Sequence, residues 1–463
     1  MNRTKYLIKN TAIFALGNLG TKLINFFLIP LYTNVLTTEQ YGITDLFFTV
    51  CSIAVPVIII NINEAIMRFA LDEDADRNKI MSTGIAVIIA SMFSALILYV
   101  IAAIYTPISE YRVYVYLYAV TYGICEINIC YLRGKEKLMA FSVSNVIRTL
   151  SIAVFNILFL VVWKMGIPGY LIAYIAANMV TALFAFFAGN VWDVCKHFSF
   201  DKELFKRMVR YSLPLIPTSL MWWIINSSDR LMITAMINVS VSGVFAVSSK
   251  IPALISFIST IFNQAFSYSA IHEEKSEDRV EFNNRIFDYL FGMVTVFGLF
   301  VLMILKLFMK IYVSAEFFSA WNYTPPLIVG TCLLVLGTFF SVSYTVNKDS
   351  IGFLKSGALG ALVNVILNLS LIPVLGAWGA AFATFVSYVI VFVYRYFDIR
   401  KYLKLDVFTL KHIASMLLLF TAGALTYANT VLHVGGCALM LIAALFLYKE
   451  NWTVIGIKLL KRK

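Results

Sequence analysis

The side chains of this sequence with chemical capacity beyond packing are a few charges set inside long apolar runs: Lys22, Asp45, Glu126, Arg148, Asp229, Arg230 and Lys250. A charge at the centre of a bilayer costs about 2.5–3.5 kcal/mol on insertion scales, so it faces a cavity or a partner. Several lie on polar stripes at helical spacing. Asn18, Lys22 and Asn25 follow i, i+4, i+7, as do Asp45, Thr49 and Ser52, and Ser144, Arg148 and Ser151. Ser219, Asn226 and Arg230 share a face beside Trp222 and Trp223, and Asn364 and Asn368 form a further pair. Basic groups on such stripes would attract an anion. Asn, Ser and Trp suit the hydroxyls and faces of sugars. The competing interpretation is a set of ion pairs and interhelix hydrogen bonds that only hold a bundle together. For Lys22 and Arg148 the structural partners would then be Asp45 or Glu126. Asp229 and Arg230 stand close enough to a span boundary to lie at the membrane interface.

Signatures of catalysis are missing. His197, His272, His412 and His433 are far apart, and none has metal-ligand spacing. No phosphate-binding loop of the form Gly-x-x-x-x-Gly-Lys-Ser/Thr occurs. The six cysteines include no Cys-x-x-Cys pair. Acidic residues cluster at Asp72, Glu73, Asp74 and Asp76, and at Glu273, Glu274, Glu277 and Asp278, as a solvated surface would. Neither an enzyme nor a bound metal or cofactor is expected.

The elements that must position these residues follow from composition. The 463 residues are 60% hydrophobic and 13% charged, against roughly 25% charged in a soluble domain. Spanning helices need about 20 residues each. Fourteen spans are predicted, at about 8–33, 41–66, 80–105, 113–132, 139–163, 168–191, 211–236, 241–267, 286–312, 323–346, 354–373, 378–397, 409–428 and 431–448. The first is too long for the apolar core of a cleaved signal peptide and reads as a retained span. The class is an all-α, polytopic bundle: a six-helix lobe over 1–191, a linker over 192–210, a second six-helix lobe over 211–400, and two further helices with a basic tail over 401–463. In the linker, Asp201 is placed to cap a short interfacial helix. Leu204, Phe205 and Met208 form its apolar face, opposite Lys202, Lys206 and Arg207. Glu64 and Arg68, i and i+4 at an inner helix end, read as a structural pair.

The formal charge is +12. The basic residues sit in short loops between apolar runs, so they argue for topology rather than for a nucleic-acid partner. On the predicted spans, 29 Lys and Arg fall on the side of the N-terminus and 4 on the other. That bias places both termini in the cytoplasm. The halves also repeat a turn: Gly166-Ile-Pro-Gly169 and Gly376-Ala-Trp-Gly379 are offset by 210 residues. Repeats of six spans keep the same orientation and would leave a substrate path between them.

In order and spacing, these features resemble the polysaccharide-biosynthesis branch of the multidrug/oligosaccharidyl-lipid/polysaccharide exporter superfamily, the Wzx-like repeat-unit flippases. The resemblance rests on the opening from Asn10-Thr-Ala to Lys22 and on Leu36-Thr-Thr-Glu-Gln-Tyr-Gly42. It continues through Ala65-Ile-Met-Arg-Phe69 and Leu132-Arg-Gly134. The second half opens with Tyr211-Ser-Leu-Pro-Leu-Ile-Pro217 and carries Asp229-Arg230, Gly243-Val-Phe-Ala and Lys250. It implies a two-lobed bundle with a central cationic cavity in the bacterial cytoplasmic (inner) membrane. It implies alternating-access translocation of undecaprenyl-diphosphate-linked oligosaccharide, with Lys22, Arg148, Arg230 and Lys250 where the family tends to place basic cavity residues. A polymerase and glycosyltransferases would be the protein partners. Two alternatives stay open: a drug or cation exporter of the same superfamily, which would need an acidic pocket, and a membrane enzyme of the same pathway. The latter would need a sizeable outer loop, whereas those predicted here hold roughly 4–12 residues.

Overall fold

The computed structural model describes residues 24–450 except 25, 73, 258–261, 263–277 and 348. Asn18, Lys22 and Asn25 therefore lie outside the described residues. All regular structure among the described residues is helical. Among the described residues, eleven helices are long and apolar enough to cross a membrane, and two shorter apolar helices accompany them. The protein is a multi-pass membrane bundle. The chain divides into two compact units, Met1–Trp223 and Ile224–Lys463.

The N-terminal unit contains α1 (Phe26–Val35), α2 (Thr38–Ile58), α3 (Ile62–Ala70), α4 (Arg77–Ile104), α5 (Arg112–Gly134), α6 (Leu138–Asn156), α7 (Gly166–Ala188), α8 (Val191–Lys196) and α9 (Lys202–Ser212). α10 (Leu215–Met236) holds the boundary between the units. The C-terminal unit continues with α11 (Val239–Phe257), α12 (Arg279–Tyr312), α13 (Thr324–Val346), α14 (Ser350–Leu375), α15 (Ala377–Ile399), α16 (Leu410–Leu425) and α17 (Thr430–Leu447).

Local sequence accounts for several boundaries. α2 starts with a reciprocal cap. The Gln40 amide donates to Thr37 Oγ1 at 3.2 Å, and the Thr37 amide donates to Gln40 Oε1 at 3.1 Å. The second predicted span ran to residue 66, but α2 stops at Ile58. Ile60 and Asn61 take left-handed backbone angles, φ 56° and 48°, and separate α2 from the short α3. Hydropathy misses this break because Ile59, Ile60 and Ile62 continue the apolar run. Arg68 pairs with Asp72 at 2.5 Å rather than with Glu64. In the linker, Asp201 accepts from the amides of Glu203 and Leu204, and these bonds hold its carboxyl below the usual range. Leu204 and Met208 are buried beneath α9 while Lys202, Lys206 and Arg207 stay exposed.

The two Gly-x-x-Gly turns share a positive φ at their first glycine. Gly166 and Gly376 both have positive φ, 59° and 62°, at the entry to α7 and α15. Their second glycines allow close approach to the preceding segment. A Cβ on Gly169 would lie 3.2 Å from the Phe159 carbonyl oxygen, and one on Gly379 would lie 2.5 Å from that of Leu371. The connection predicted between the spans 354–373 and 378–397 is made at Gly376, and Pro373 lies inside α14.

Arg395 lies near the end of the predicted span 378–397 and is buried in α15, 1% exposed. Its Nε donates to Ser356 Oγ of α14 at 3.0 Å and its Nη1 to the Gly337 carbonyl of α13 at 3.2 Å. The guanidinium lies over the Phe353 ring, 5.3 Å from its centre. Just beyond the end of α15, Lys401 bridges Asp349 and Asp398, each at 3.1 Å. The Gly352 amide, Lys401 and Tyr402 hold the Asp349 carboxyl down at about 2. Arg395 thus ties three helices together. Hydrogen bonds to a charged group are worth about 1.5–3 kcal/mol each, so Arg395→Ala should lower the melting temperature of the purified protein markedly. Arg395→Lys should recover only part, since an ammonium cannot reach both acceptors in the fixed geometry of the fork. Unchanged melting in both variants would remove the clamp role.

Candidate functional site

Among the described residues, each unit holds a polar centre that contains expected site residues. In the N-terminal unit, Arg148 of α6 meets Glu126 of α5, with Nη1 to Oε1 at 2.7 Å. Their side chains are 19% and 23% exposed. The partner for Arg148 is therefore the acid one helix away, and the pair remains within reach of a visitor. Tyr122, one turn before Glu126, places its ring 4.8 Å from the guanidinium.

A belt of aromatic side chains extends from this pair. Tyr118 stacks on Tyr122 at 5.5 Å and meets Phe48 of α2 at 5.2 Å. Phe48 meets Tyr174 of α7 at 4.5 Å, and the hydroxyls of Tyr170 and Tyr174 are 3.5 Å apart. Asp45 is partly buried on α2. Ser52, on the same stripe as Asp45, accepts from Trp223 Nε1 at 3.0 Å, and the same N–H donates to the Thr49 carbonyl at 2.9 Å. That tryptophan N–H is engaged within the unit. The belt was legible in part: Tyr118, Tyr122 and Glu126 repeat at i, i+4, i+8 on one face of α5, and Tyr170 and Tyr174 at i, i+4 on α7.

In the C-terminal unit, Asp229 of α10 is 6% exposed. Its Oδ1 accepts from Asn368 Nδ2 at 2.6 Å, and its Oδ2 accepts from the Thr384 hydroxyl at 2.6 Å. Asn364 accepts from Asn368 at 3.0 Å and from Ser228 at 3.2 Å, and donates to Thr384 at 3.2 Å. The Asn364–Asn368 pair expected from spacing is therefore real, and its target is Asp229. Thr384 and Ser228 are additions that sequence reasoning missed. The knot joins α10, α14 and α15 around a carboxylate held by neutral donors. Asn368 Oδ1 is buried with no hydrogen-bond partner. Carboxylate, amide and hydroxyl oxygens make up a hard donor set that suits a proton or a small cation.

The other expected residues are distributed around this knot. Arg230 is partly buried; its Nη2 donates to Ser249 Oγ of α11 at 3.4 Å, and its carbonyl accepts from Ser242 at 3.1 Å. Lys250, next to Ser249, is partly buried in α11. Asn226 lies in α10. Among the described residues, no three His, Cys, Asp or Glu side chains come together as a metal-binding group.

A family model described as "polysaccharide biosynthesis protein" matches residues 7–268. The putative Lsg locus protein 1 of Haemophilus influenzae is 22% identical over 279 residues, which covers 58% of this chain and 68% of the relative. Among solved structures, the lipid II flippase MurJ in an inward closed conformation superposes with a TM-score of 0.66 at 14% identity, covering 95% of this chain and 99% of its own. An inward-facing multidrug-resistance transporter of the MATE family superposes with a TM-score of 0.62 at 15% identity, covering 83% and 94%. At these identities the structural likeness establishes a shared fold.

Proposed function

Because the chain belongs to the polysaccharide biosynthesis protein family, we propose that it is a flippase. Its substrate is an undecaprenyl-diphosphate-linked oligosaccharide repeat unit, carried from the cytoplasmic to the outer leaflet of the bacterial cytoplasmic membrane by alternating access. The observation that carries this reading is the Arg148–Glu126 pair bordered by tyrosines. An accessible guanidinium can exchange a carboxylate for a phosphate, to which it can offer two donors at once. Tyrosine rings and hydroxyls beside it suit a sugar. Lys22, on its Asn18–Asn25 stripe, would supply further positive charge, and Arg230 and Lys250 would attract an anion within the second unit. The glycan product would serve a surface polysaccharide, with glycosyltransferases upstream and a polymerase downstream.

The knot at Asp229 supports a second element. An ionisable group buried among neutral donors can exist in two charge states that weight the conformations of its helices differently. Translocation would then be coupled to a proton or monovalent cation at Asp229. The direct test is uptake of a fluorescent undecaprenyl-diphosphate-linked sugar into proteoliposomes without nucleotide. Failure of that substrate to move, with gradient-driven movement of an organic cation instead, would favour a drug exporter.

Topology can be tested with a native probe. Cys195 is exposed, while the other five cysteines are buried. On the cytoplasmic placement of the linker, an impermeant maleimide should leave Cys195 unlabelled in intact cells and label it after permeabilisation. Lys164→Cys, in a Cys195→Ser background, should label in intact cells. The reverse pattern would invert the orientation.

A further inference from the structure

A groove in the N-terminal unit lies apart from the residues of the ion-pair cluster. Ile53 and Val57 of α2 form one wall, Ala86, Ala90 and Ile101 of α4 the other, and Phe205 of α9 closes one end. Its volume is about 760 Å³. Its lining is apolar except at Ser94, whose hydroxyl donates to the Ser91 carbonyl of its own helix at 3.3 Å. The α4 wall is open to its surroundings: Ile97 is 63% exposed and Ile101 52%.

Length, width and charge point to one occupant. From Ala86 to Ile101, α4 rises roughly 22 Å at about 1.5 Å per residue. One leaflet of a ~30 Å hydrocarbon core is about 15 Å deep. A chain filling the groove therefore crosses the midplane, where an ordinary acyl chain from the same leaflet ends. A polyprenyl chain is long enough, and it carries a methyl branch on every isoprene unit. Ala54, Ala86 and Ala90 leave the width that those branches require. The Phe205 end is basic. Lys202 and Lys206 flank Phe205 on α9 and are exposed, and Lys79 begins the α4 wall, 3.7 Å from Asp201. A phosphate at that end would be met by ammonium groups at the surface.

We propose that this groove seats the polyprenyl chain of the lipid-linked substrate, with the carrier phosphate against Lys202 and Lys206. The assignment rests on the flippase reading above for the identity of the lipid. It places the chain on the α2–α4 face of the N-terminal unit, apart from the Arg148 centre.

The experiment uses the full-length protein in nanodiscs of phosphatidylethanolamine and phosphatidylglycerol. The probe is undecaprenyl phosphate with a diazirine near the far end of the chain. Photolabel should map to α2 and α4. Excess undecaprenyl phosphate should compete at least tenfold better than excess phosphatidylglycerol. Ala90→Phe, at an exposed position facing the groove, should cut labelling there at least tenfold. Ile97→Trp provides the same obstruction if Ala90→Phe fails to accumulate. Lys202→Glu with Lys206→Glu should weaken labelling by the phosphate probe but not by a diazirine-bearing undecaprenol. Unchanged labelling in both filled variants overturns the proposal, and so does equal competition by phosphatidylglycerol. Normal glycan export by a variant whose groove labelling is lost overturns it too, while leaving the flippase reading intact. Specific labelling by a wild-type protein that transports no lipid-linked sugar supports the seat and overturns the flippase reading instead.

Discussion

Arg148→Ala is expected to reduce export of the lipid-linked glycan at least tenfold, and restoring the local charge balance should not rescue it. The structure sharpens this test because it identifies Glu126 as the partner, at 2.7 Å. Removing the arginine alone strands a carboxylate in a half-buried site, which is destabilising. Glu126→Gln in the same chain removes that penalty. If the pair is only structural, the double variant regains both abundance and export. If Arg148 holds the diphosphate, the double variant regains abundance alone. Charge-assisted hydrogen bonds of about 1.5–3 kcal/mol correspond to roughly ten- to hundredfold in binding. Arg148→Lys should keep part of the activity, since charge survives while the two-donor geometry is lost. Surface glycan and membrane abundance, measured together in the single and double variants, decide the matter. Full export by the double variant at normal abundance would remove Arg148 from the substrate site.

Asp229→Asn should separate stability from transport. The amide can still accept from Asn368 or Thr384, and a buried charge is no longer taken out of water. Melting of the purified protein is therefore expected to be unchanged or raised. Gradient-driven transport in proteoliposomes should fall at least tenfold, because the variant can no longer change charge state. Movement down the substrate's own gradient should persist. Intact gradient dependence in Asp229→Asn would exclude the carboxylate as the coupling group. A fall in melting together with transport would mark the knot as structural.

Much of the bundle is legible from hydropathy alone, because lipid imposes length and composition on every span. Helix ends are less so. The break after Ile58 is made by backbone angles at Ile60 and Asn61 within an unbroken apolar run, so only tertiary context exposes it. Charges in spans are conspicuous, and Arg148, Glu126 and Asp229 are found by that signal. Their partners divide by type. The Asn364–Asn368 pair shows itself through spacing, whereas Thr384 and Ser228 do not, since a lone hydroxyl in a span carries no pattern. The tyrosines around Arg148 are obscured by abundance, because 15% of the chain is aromatic. Arg395 falls inside a predicted span, but its partners Ser356 and Gly337 lie on other helices and leave no pattern in the sequence.

The near absence of a loop between α14 and α15 bears on how the chain is made. Gly376 alone separates Leu375 from Ala377, so the two helices leave the ribosome almost together. They can enter the membrane as a hairpin, with Asn364 already facing Thr384. Asp229 has no such companion. Its partner Asn368 is synthesised 139 residues later, and at 5–20 residues per second this is a wait of roughly 7–28 s. Through that interval α10 must carry its acidic group without the donors that later surround it. The newborn chain therefore depends on the insertion machinery, or on protonation, to keep that helix in place until the hairpin arrives.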